Sequence, residues 1–274
     1  MSSFAKRPFV GLSWTDRSDR FYSVSTAHAI RCDLDSTHEP YTYDRCVRCD
    51  LPHPSVVPGW VRVWVCVVKG DEARCPGLNV SVHSLDKEDA EIGCKGAADA
   101  VAFLAALGLD TTAPVEVRIL ERLPDGIAAP SSLGCEVRAE QCVYMLTFSQ
   151  CRKLGLAPDL PIDRALYRSL VAHEVAHHIA AANFKVEKPP LVAHEYIAYV
   201  TMLATMAPDQ RDCILQHFPA DGFDTEWGLN LTLYTMAPHF FGVQAYRHFM
   251  RLEDRQAFLE RVLSGSALAD EQPP

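Results

Sequence analysis

The sequence lacks a cluster of basic residues. Its 274 residues include 26 Lys and Arg against 35 Asp and Glu, which gives a net charge of −9. This balance argues against a nucleic-acid-binding surface, which needs a basic patch, and against electrostatic docking on anionic membranes. The sequence also lacks the apolar run of about 18 residues that a bilayer-spanning helix needs. We therefore expect neither a nucleic-acid partner nor a membrane span, and the oligomeric state stays open.

The first residues lack the apolar stretch of a secretion signal. Lys6 and Arg7 are not followed by an apolar core of about 7–15 residues. We therefore expect a cytoplasmic protein, or an exported one if a leader has been removed. The ten cysteines fit disulfides in an oxidising compartment or metal ligands and buried thiols in a reducing one. For an exported protein, candidate bridges across predicted hairpins join Cys66 to Cys75 and Cys135 to Cys142.

Residues 1–58 differ in composition from residues 59–274, and we predict a boundary between two domains there. The first segment is rich in Cys, His and Pro, with little helical periodicity. Four soft ligands ending in a CxxC pair suit a closed structural zinc site. These four are Cys32, His38, Cys46 and Cys49, with His53 or His28 as substitutes for His38. Disulfides or free cysteines are the alternatives.

The order of elements in residues 59–274 predicts an α+β fold. Alternating apolar residues and flanking turn signals predict strands before residue 150, at Trp60–Val68, Leu78–Leu85, Val115–Leu120 and within Glu136–Phe148. One helix is predicted among them, at Asp86–Leu107. The following region is mainly helical, with helices at Ile162–Asn183, Leu191–Met206, Leu229–Met236 and Arg251–Leu263. This order predicts a small mixed sheet followed by a mainly helical C-terminal half.

The motif HExxH lies in the first helix of that half, as His173-Glu174-Val175-Ala176-His177. Residues four apart on a helix differ by about 40° around its axis, so both imidazoles can reach one metal ion. Glu174 projects beside them, where it can accept a proton from an attacking water. The alternative is a pair of helix histidines with ordinary hydrogen bonds.

A catalytic zinc usually takes a third protein ligand. The form HExxHxxGxxH is excluded, because Ala180 and Asn183 occupy the Gly and last His positions. Glu195 lies 18 residues after His177, on the next predicted helix, and an antiparallel return of that helix would bring it to the histidines. The rival third ligands are His194, Glu187 and Asp224.

This pattern resembles the gluzincin group of zinc metallopeptidases, which carry HExxH on one helix and a metal-binding Glu on the next. Three further segments are similar to an uncharacterised bacterial family of zincin-like proteins: CKGAADAVAFLAALGL, HEYIAYV and FGVQAYRHF. The resemblance implies a zincin-like fold, Zn²⁺ held by His173, His177 and Glu195, and Glu174 as the general base.

The implied activity is hydrolysis of peptide bonds in a peptide or protein substrate. The resemblance also implies a Tyr or His downstream that stabilises the oxyanion. The candidates are Tyr234, which we favour, His239, Tyr246 and His248. Cys142–Phe148 is expected to offer an open strand edge that pairs with an extended substrate. Two other functions stay open: a catalytically silent zincin-fold binding protein, and an exported, disulfide-stabilised metal-binding protein.

Overall fold

The computed structural model describes residues 46–51, 61–66, 71–129, 132–157 and 160–268. One unit of the chain, which ends at Gly70, contains strands β1 (Cys46–Leu51) and β2 (Val61–Cys66) as an antiparallel hairpin. These strands lie on either side of the predicted boundary at residue 58. Independent folding of residues 1–58 stays a prediction.

The larger unit, whose described residues run from Asp71, contains a five-stranded mixed sheet in the order β3-β4-β5-β7-β6. Strands β4, β5 and β7 are parallel, whereas β3 and β6 pair antiparallel at the two edges. The strands are β3 (Asp71–Arg74), β4 (Val80–Ser84), β5 (Val115–Leu120), β6 (Gly134–Val137) and β7 (Cys142–Leu146). This confirms the predicted small mixed sheet.

Eight helices accompany this sheet in the described part of the chain. They are α1 (Lys87–Ala106), α2 (Phe148–Leu154), α3 (Arg164–Asn183), α4 (Leu191–Thr205), α5 (Pro208–His217), α6 (Leu231–Met236), α7 (Pro238–Arg251) and α8 (Arg255–Leu263). Six of them follow β7 and α2, which confirms the mainly helical C-terminal half. No helix in these described ranges combines the length and apolar character needed to cross a membrane.

The core lies between the sheet and successive helical layers. Helices α1 and α3 pack on the sheet and on each other, α4 packs on α3, and α7 packs on α4. Local signals fix where α1 and α3 begin: the Asp86 carboxylate accepts from the amides of Glu88 and Asp89, and Asp163 accepts from the amide of Leu166. Such caps satisfy amides that lack a partner inside the helix. Helix α3 is therefore held against the sheet with the whole of its HExxH segment buried.

The expected open edge at Cys142–Phe148 is wrong. Strand β7 is hydrogen-bonded on both sides, to β5 and β6, so its backbone groups are already paired. The edge beside α3 is β6 instead, which the sequence pattern did not separate from β7.

The two expected disulfides are also wrong. Cys75 is bonded to Cys94 of α1, with a Cα–Cα distance of 5.3 Å, because α1 packs over the end of β3. Cys135 lies opposite Tyr144 rather than Cys142 in the β6–β7 register. Among the described side chains, three cysteines are free and buried, Cys135, Cys142 and Cys151, and Cys213 is free and exposed. We call the first three the buried thiols.

Candidate metal centre

Helices α3 and α4 bring the two halves of the predicted site together. The HExxH segment lies in the middle of α3, where no fraying reaches it. A turn from Phe184 to Pro190 then reverses the chain, and the amide of Lys185 in this turn donates to the carbonyl of Leu263 at 2.9 Å. Glu195, in the second turn of α4, therefore faces the HExxH histidines, as the sequence predicted.

The donor atoms of His173, His177 and Glu195 converge, and we call these three residues the metal group. The two Nε2 atoms lie 3.1 Å apart, Glu195 Oε2 lies 3.6 Å from His173 Nε2, and Glu195 Oε1 lies 3.8 Å from His177 Nε2. A tetrahedral zinc site with bonds of about 2.0–2.1 Å has ligand–ligand distances of about 3.3–3.4 Å. The observed distances bracket this value, so the group has the size and donor chemistry to hold a metal ion.

Burial sets the charge of the two imidazoles. His173 is 0% exposed and His177 is 3% exposed. Burial, and secondarily the neighbouring His239, lowers the pKa of His173 to about 3. Burial, followed by the neighbouring His173 and His194, holds the pKa of His177 well below its usual range. Both rings are therefore neutral at pH 7, which is the form that ligates metals.

Glu195 is the acidic member of the metal group and is 1% exposed. Burial raises its pKa to about 8, although a hydrogen bond from Tyr234 acts in the opposite direction. The Tyr234 hydroxyl donates to Glu195 Oε1 at 2.9 Å, whereas Oε2 has no hydrogen-bond partner among the described residues. A bound cation would compensate the charge that burial disfavours.

The outer nitrogens of the two histidines depart from the usual pattern. Metal-binding histidines commonly donate their second N–H to a carboxylate or carbonyl. The Nδ1 atoms of His173 and His177 have no such partner among the described residues. Ring packing fixes His173 instead, because the Tyr199 ring meets it edge-on with centroids 4.7 Å apart.

Glu174 lies between the metal group and the edge strand β6. It is 4% exposed, and burial raises its pKa well above the usual range, followed by the charges of Glu195 and Glu136. A Cβ at Gly134 of β6 would lie 2.8 Å from Glu174 Cγ. Glycine at this position therefore allows the edge strand to pass directly against the Glu174 side chain.

His178 links α3 to the sheet rather than to the metal group. Its Nε2 lies 3.1 Å from the carbonyl oxygen of Pro114, and its Nδ1 lies 3.7 Å from Glu136 Oε1. Glu136 belongs to β6, so this pair joins the HExxH helix to the edge strand.

None of the three rival third ligands belongs to the metal group. Glu187 is exposed in the turn before α4, and Asp224 pairs with Arg251 at 3.0 Å. The His194 ring packs against Phe184 at 4.5 Å and is not part of the group of convergent donors.

Of the four candidate oxyanion donors, the structure brings two close to the metal group. Tyr234 contacts Glu195 directly, and His239 lies close enough to act on the charge of His173. His248 instead pairs through Nδ1 with the Tyr196 hydroxyl at 2.9 Å, and the guanidinium of Arg211 lies over the Tyr246 ring.

Tyr199 and Gly134 are site residues that the sequence analysis did not select. Tyr199 follows Glu195 by four residues, and this helical spacing could have placed it on the same face of α4. No local signal identifies Gly134, because its importance comes from a contact between distant segments.

The predicted N-terminal zinc site lies largely outside the described residues. This applies to Cys32 and His38, and of Cys46 and Cys49 only the backbone, in β1, is described. That site stays a prediction.

Two of the clefts between described residues lie near the sheet, and neither of these is lined by the metal group. One, of about 310 Å³, lies at the N-terminal ends of β4 and β5. The other, of about 380 Å³, is lined by the loop after β5 together with Ser132 and Leu146. Ser132, which helps to line the second cleft, lies two residues before Gly134, where the edge strand β6 begins.

Comparison with protein families matches residues 80–272 to a family of unknown function, DUF6639, and the chain belongs to this family. The match includes the metal group and everything from β4 to α8. No curated protein and no solved structure matches the chain.

Proposed function

We propose that this protein is a zinc-dependent peptidase with a zincin-like fold, in which His173, His177 and Glu195 hold the metal. The observation that carries the proposal is the convergence of two neutral imidazoles and one carboxylate beside a buried Glu174. Zinc is the ion we expect, because two nitrogens and one oxygen in a compact group suit its tetrahedral preference. A bound Zn²⁺ would supply a Lewis acid and lower the pKa of a water from 15.7 to roughly 7.

Glu174 has the role of general base. Its carboxylate accepts a proton from the attacking water and returns it to the leaving amine. Burial raises its pKa, and a nearby cation would lower the pKa toward the working range of a base at neutral pH.

The edge strand β6 is the expected binding surface for substrate. Among the described strands its one partner is β7, so its outer backbone groups are not paired within the five-stranded sheet. An extended peptide can add to such an edge. Gly134 brings this strand against Glu174, so a peptide on β6 would lie near the general base.

A second candidate is a metal-binding protein without catalysis. It is favoured by burial, since His173, His177, Glu174 and Glu195 are each at most 4% exposed. The Cys75–Cys94 disulfide favours an exported form of either candidate over the expected cytoplasmic location, because structural disulfides persist in oxidising compartments.

The deciding experiment combines metal analysis with proteolysis by the full-length protein. We expect about one zinc per chain, or about two if the N-terminal cluster is also occupied, and cleavage of unstructured casein. Glu174→Gln should keep the zinc and lose cleavage, whereas the exposed control Glu187→Gln should keep both. Zinc without any cleavage in the wild type would favour the silent protein, and absence of zinc would refute both candidates.

A further inference from the structure

Tyr199 has a buried hydroxyl with no hydrogen-bond partner among the described residues. The residue is 1% exposed and lies on α4, one turn after Glu195. A buried hydroxyl without a partner is destabilising, so such a group in a native fold needs an explanation. Its position beside the metal group suggests a ligand as the missing partner.

The ring of Tyr199 is held on two sides. The ring of His173 meets it edge-on at 4.7 Å on one side. Helix α7 covers the other side, where a Cβ on Gly242 would collide with the ring and Phe241 packs edge-on at 6.2 Å. The ring therefore has little freedom to turn its hydroxyl elsewhere.

The hydroxyl of Tyr199 lies within electrostatic reach of both carboxylates of the site. Burial, followed by the charges of Glu195 and Glu174, raises the pKa of Tyr199 well above its usual range. A phenol hydroxyl at this position can donate one hydrogen bond.

The hydroxyl of Tyr234, unlike that of Tyr199, has a hydrogen-bond acceptor in the metal group. Its hydroxyl already donates to Glu195 Oε1 at 2.9 Å, and a phenol has one proton to give. In this arrangement Tyr234 orients a metal ligand, and its proton is not available to a substrate.

We propose that the Tyr199 hydroxyl donates a hydrogen bond to the scissile carbonyl oxygen of a peptide at the metal group, while Tyr234 positions Glu195. This inference rests on the proposed function. It assigns charge stabilisation on the attacked carbonyl to the unpartnered tyrosine, and no proton leaves Tyr199 in the step.

The test compares Tyr199→Phe with Tyr234→Phe, because each removes one oxygen and keeps the ring. Zinc affinity is measured by competition with a chromophoric chelator. Acetohydroxamate binding to the zinc-loaded protein is measured by calorimetry, since this small metal-binding anion carries a charged oxygen like the one that develops on the carbonyl. Casein cleavage is measured in parallel.

Tyr199→Phe should leave zinc affinity within about twofold and weaken acetohydroxamate binding by about 10-fold or more, as expected for a lost hydrogen bond to a charged oxygen. Tyr234→Phe should weaken zinc binding by about 10-fold or more, the usual effect of removing a partner of a metal ligand. At saturating zinc it should bind acetohydroxamate like the wild type.

Three results would overturn the inference. Unchanged acetohydroxamate binding in Tyr199→Phe would remove its role as donor. A loss of zinc affinity equal to that of Tyr234→Phe would make it a positioning residue. Misfolding of Tyr199→Phe would mean that the hydroxyl has a structural partner. In each case a wild type that still binds zinc leaves the proposed function standing, whereas a wild type without zinc refutes both.

Discussion

Replacing Glu195 by Gln should stabilise the metal-free protein and remove most of the stabilisation that zinc gives. The substitution keeps the shape of the side chain and an oxygen that can accept from Tyr234, but it removes the charge. In the metal-free protein, the pKa of Glu195 is raised from 4.5 to about 8. Between these values the folded state binds a proton that the unfolded state has lost. Stability from this group is therefore fully present below pH 4.5 and is lost progressively as the pH rises to about 8.

The size of both effects follows from the burial of Glu195. Above pH 8 the metal-free wild type carries a buried, unpaired charge, which costs on the order of 3 kcal/mol. At about 2–4 °C per kcal/mol for a unit of this size, the Gln variant should melt about 6–12 °C higher. Zinc at 100 to 1,000 times its Kd stabilises the wild type by about 2.7–4.1 kcal/mol, or roughly 5–16 °C, and this gain should be largely lost in the variant.

The assay is thermal unfolding by circular dichroism at pH 6 and pH 8.5, with chelator or with buffered free zinc. At pH 6 without metal the difference between the two proteins should be smaller than at pH 8.5, because only part of the stability linked to Glu195 has then been lost. The exposed control Glu187→Gln should behave like the wild type throughout. The same melting temperature for wild type in chelator and in zinc would refute the metal group, and an equal zinc response in Glu195→Gln would exclude Glu195 as a ligand.

Three further predictions concern residues around the site and the cysteines. Gly134→Ala should lower the free energy of unfolding by about 1–3 kcal/mol through overpacking and impair casein cleavage, because the new Cβ would lie 2.8 Å from Glu174 Cγ. An unchanged melting temperature would refute this contact. Cys75→Ser should cost about 3 kcal/mol, since the bridge spans 19 residues, and adding Cys94→Ser should cost no more; additive losses in urea unfolding would refute the bridge. Iodoacetamide at pH 8 should label exposed Cys213 and spare the buried thiols, whose pKa values burial raises to about 12. Mass spectrometry detects the label, and labelling of the buried thiols in the native protein would contradict their burial.

Much of the local structure could be predicted because its signals are local. Predicted Val115–Leu120 is β5 without change, since its alternating apolar residues pack on one face. Predicted Ile162–Asn183 is α3 to within two residues, because Asp163 provides the N-cap. Predicted Arg251–Leu263 begins at Arg255 instead, since Asp254 caps the helix there.

Long-range pairing could not be predicted in the same way. Nothing in the β-rich segment from Glu136 to Phe148 says which part pairs twice and which part forms the edge. Which part forms the edge depends on β5, which precedes β7 by more than twenty residues in the sequence and pairs with it in the sheet. The partner of Cys75 escaped prediction for a similar reason, because Cys94 reaches it through the packing of α1 on the sheet.

In the candidate site, too, the features set by local spacing could be predicted and those set by tertiary packing could not. Helical spacing predicted the convergence of His173, His177 and Glu195, because all three lie on two consecutive helices joined by a short turn. The distinction between Tyr199 and Tyr234 could not be predicted, since it depends on α6 and α7 folding back over α4. Spacing along the chain fixes which donors meet, and tertiary packing decides which hydroxyl contacts Glu195.

The electrostatics of the metal group explain why polar residues can be buried there at all. At pH 7 without metal, His173 and His177 are neutral because burial lowers their pKa, and Glu195 retains its proton because burial raises its pKa to about 8. The folded chain therefore has no net charge at these three residues and avoids most of the cost of burying ions. A divalent cation would instead favour the charged form of Glu195, because its attraction to a carboxylate is strong where water is excluded. The same burial thus makes the group tolerable when metal-free and strengthens its attraction to a cation when metal is present.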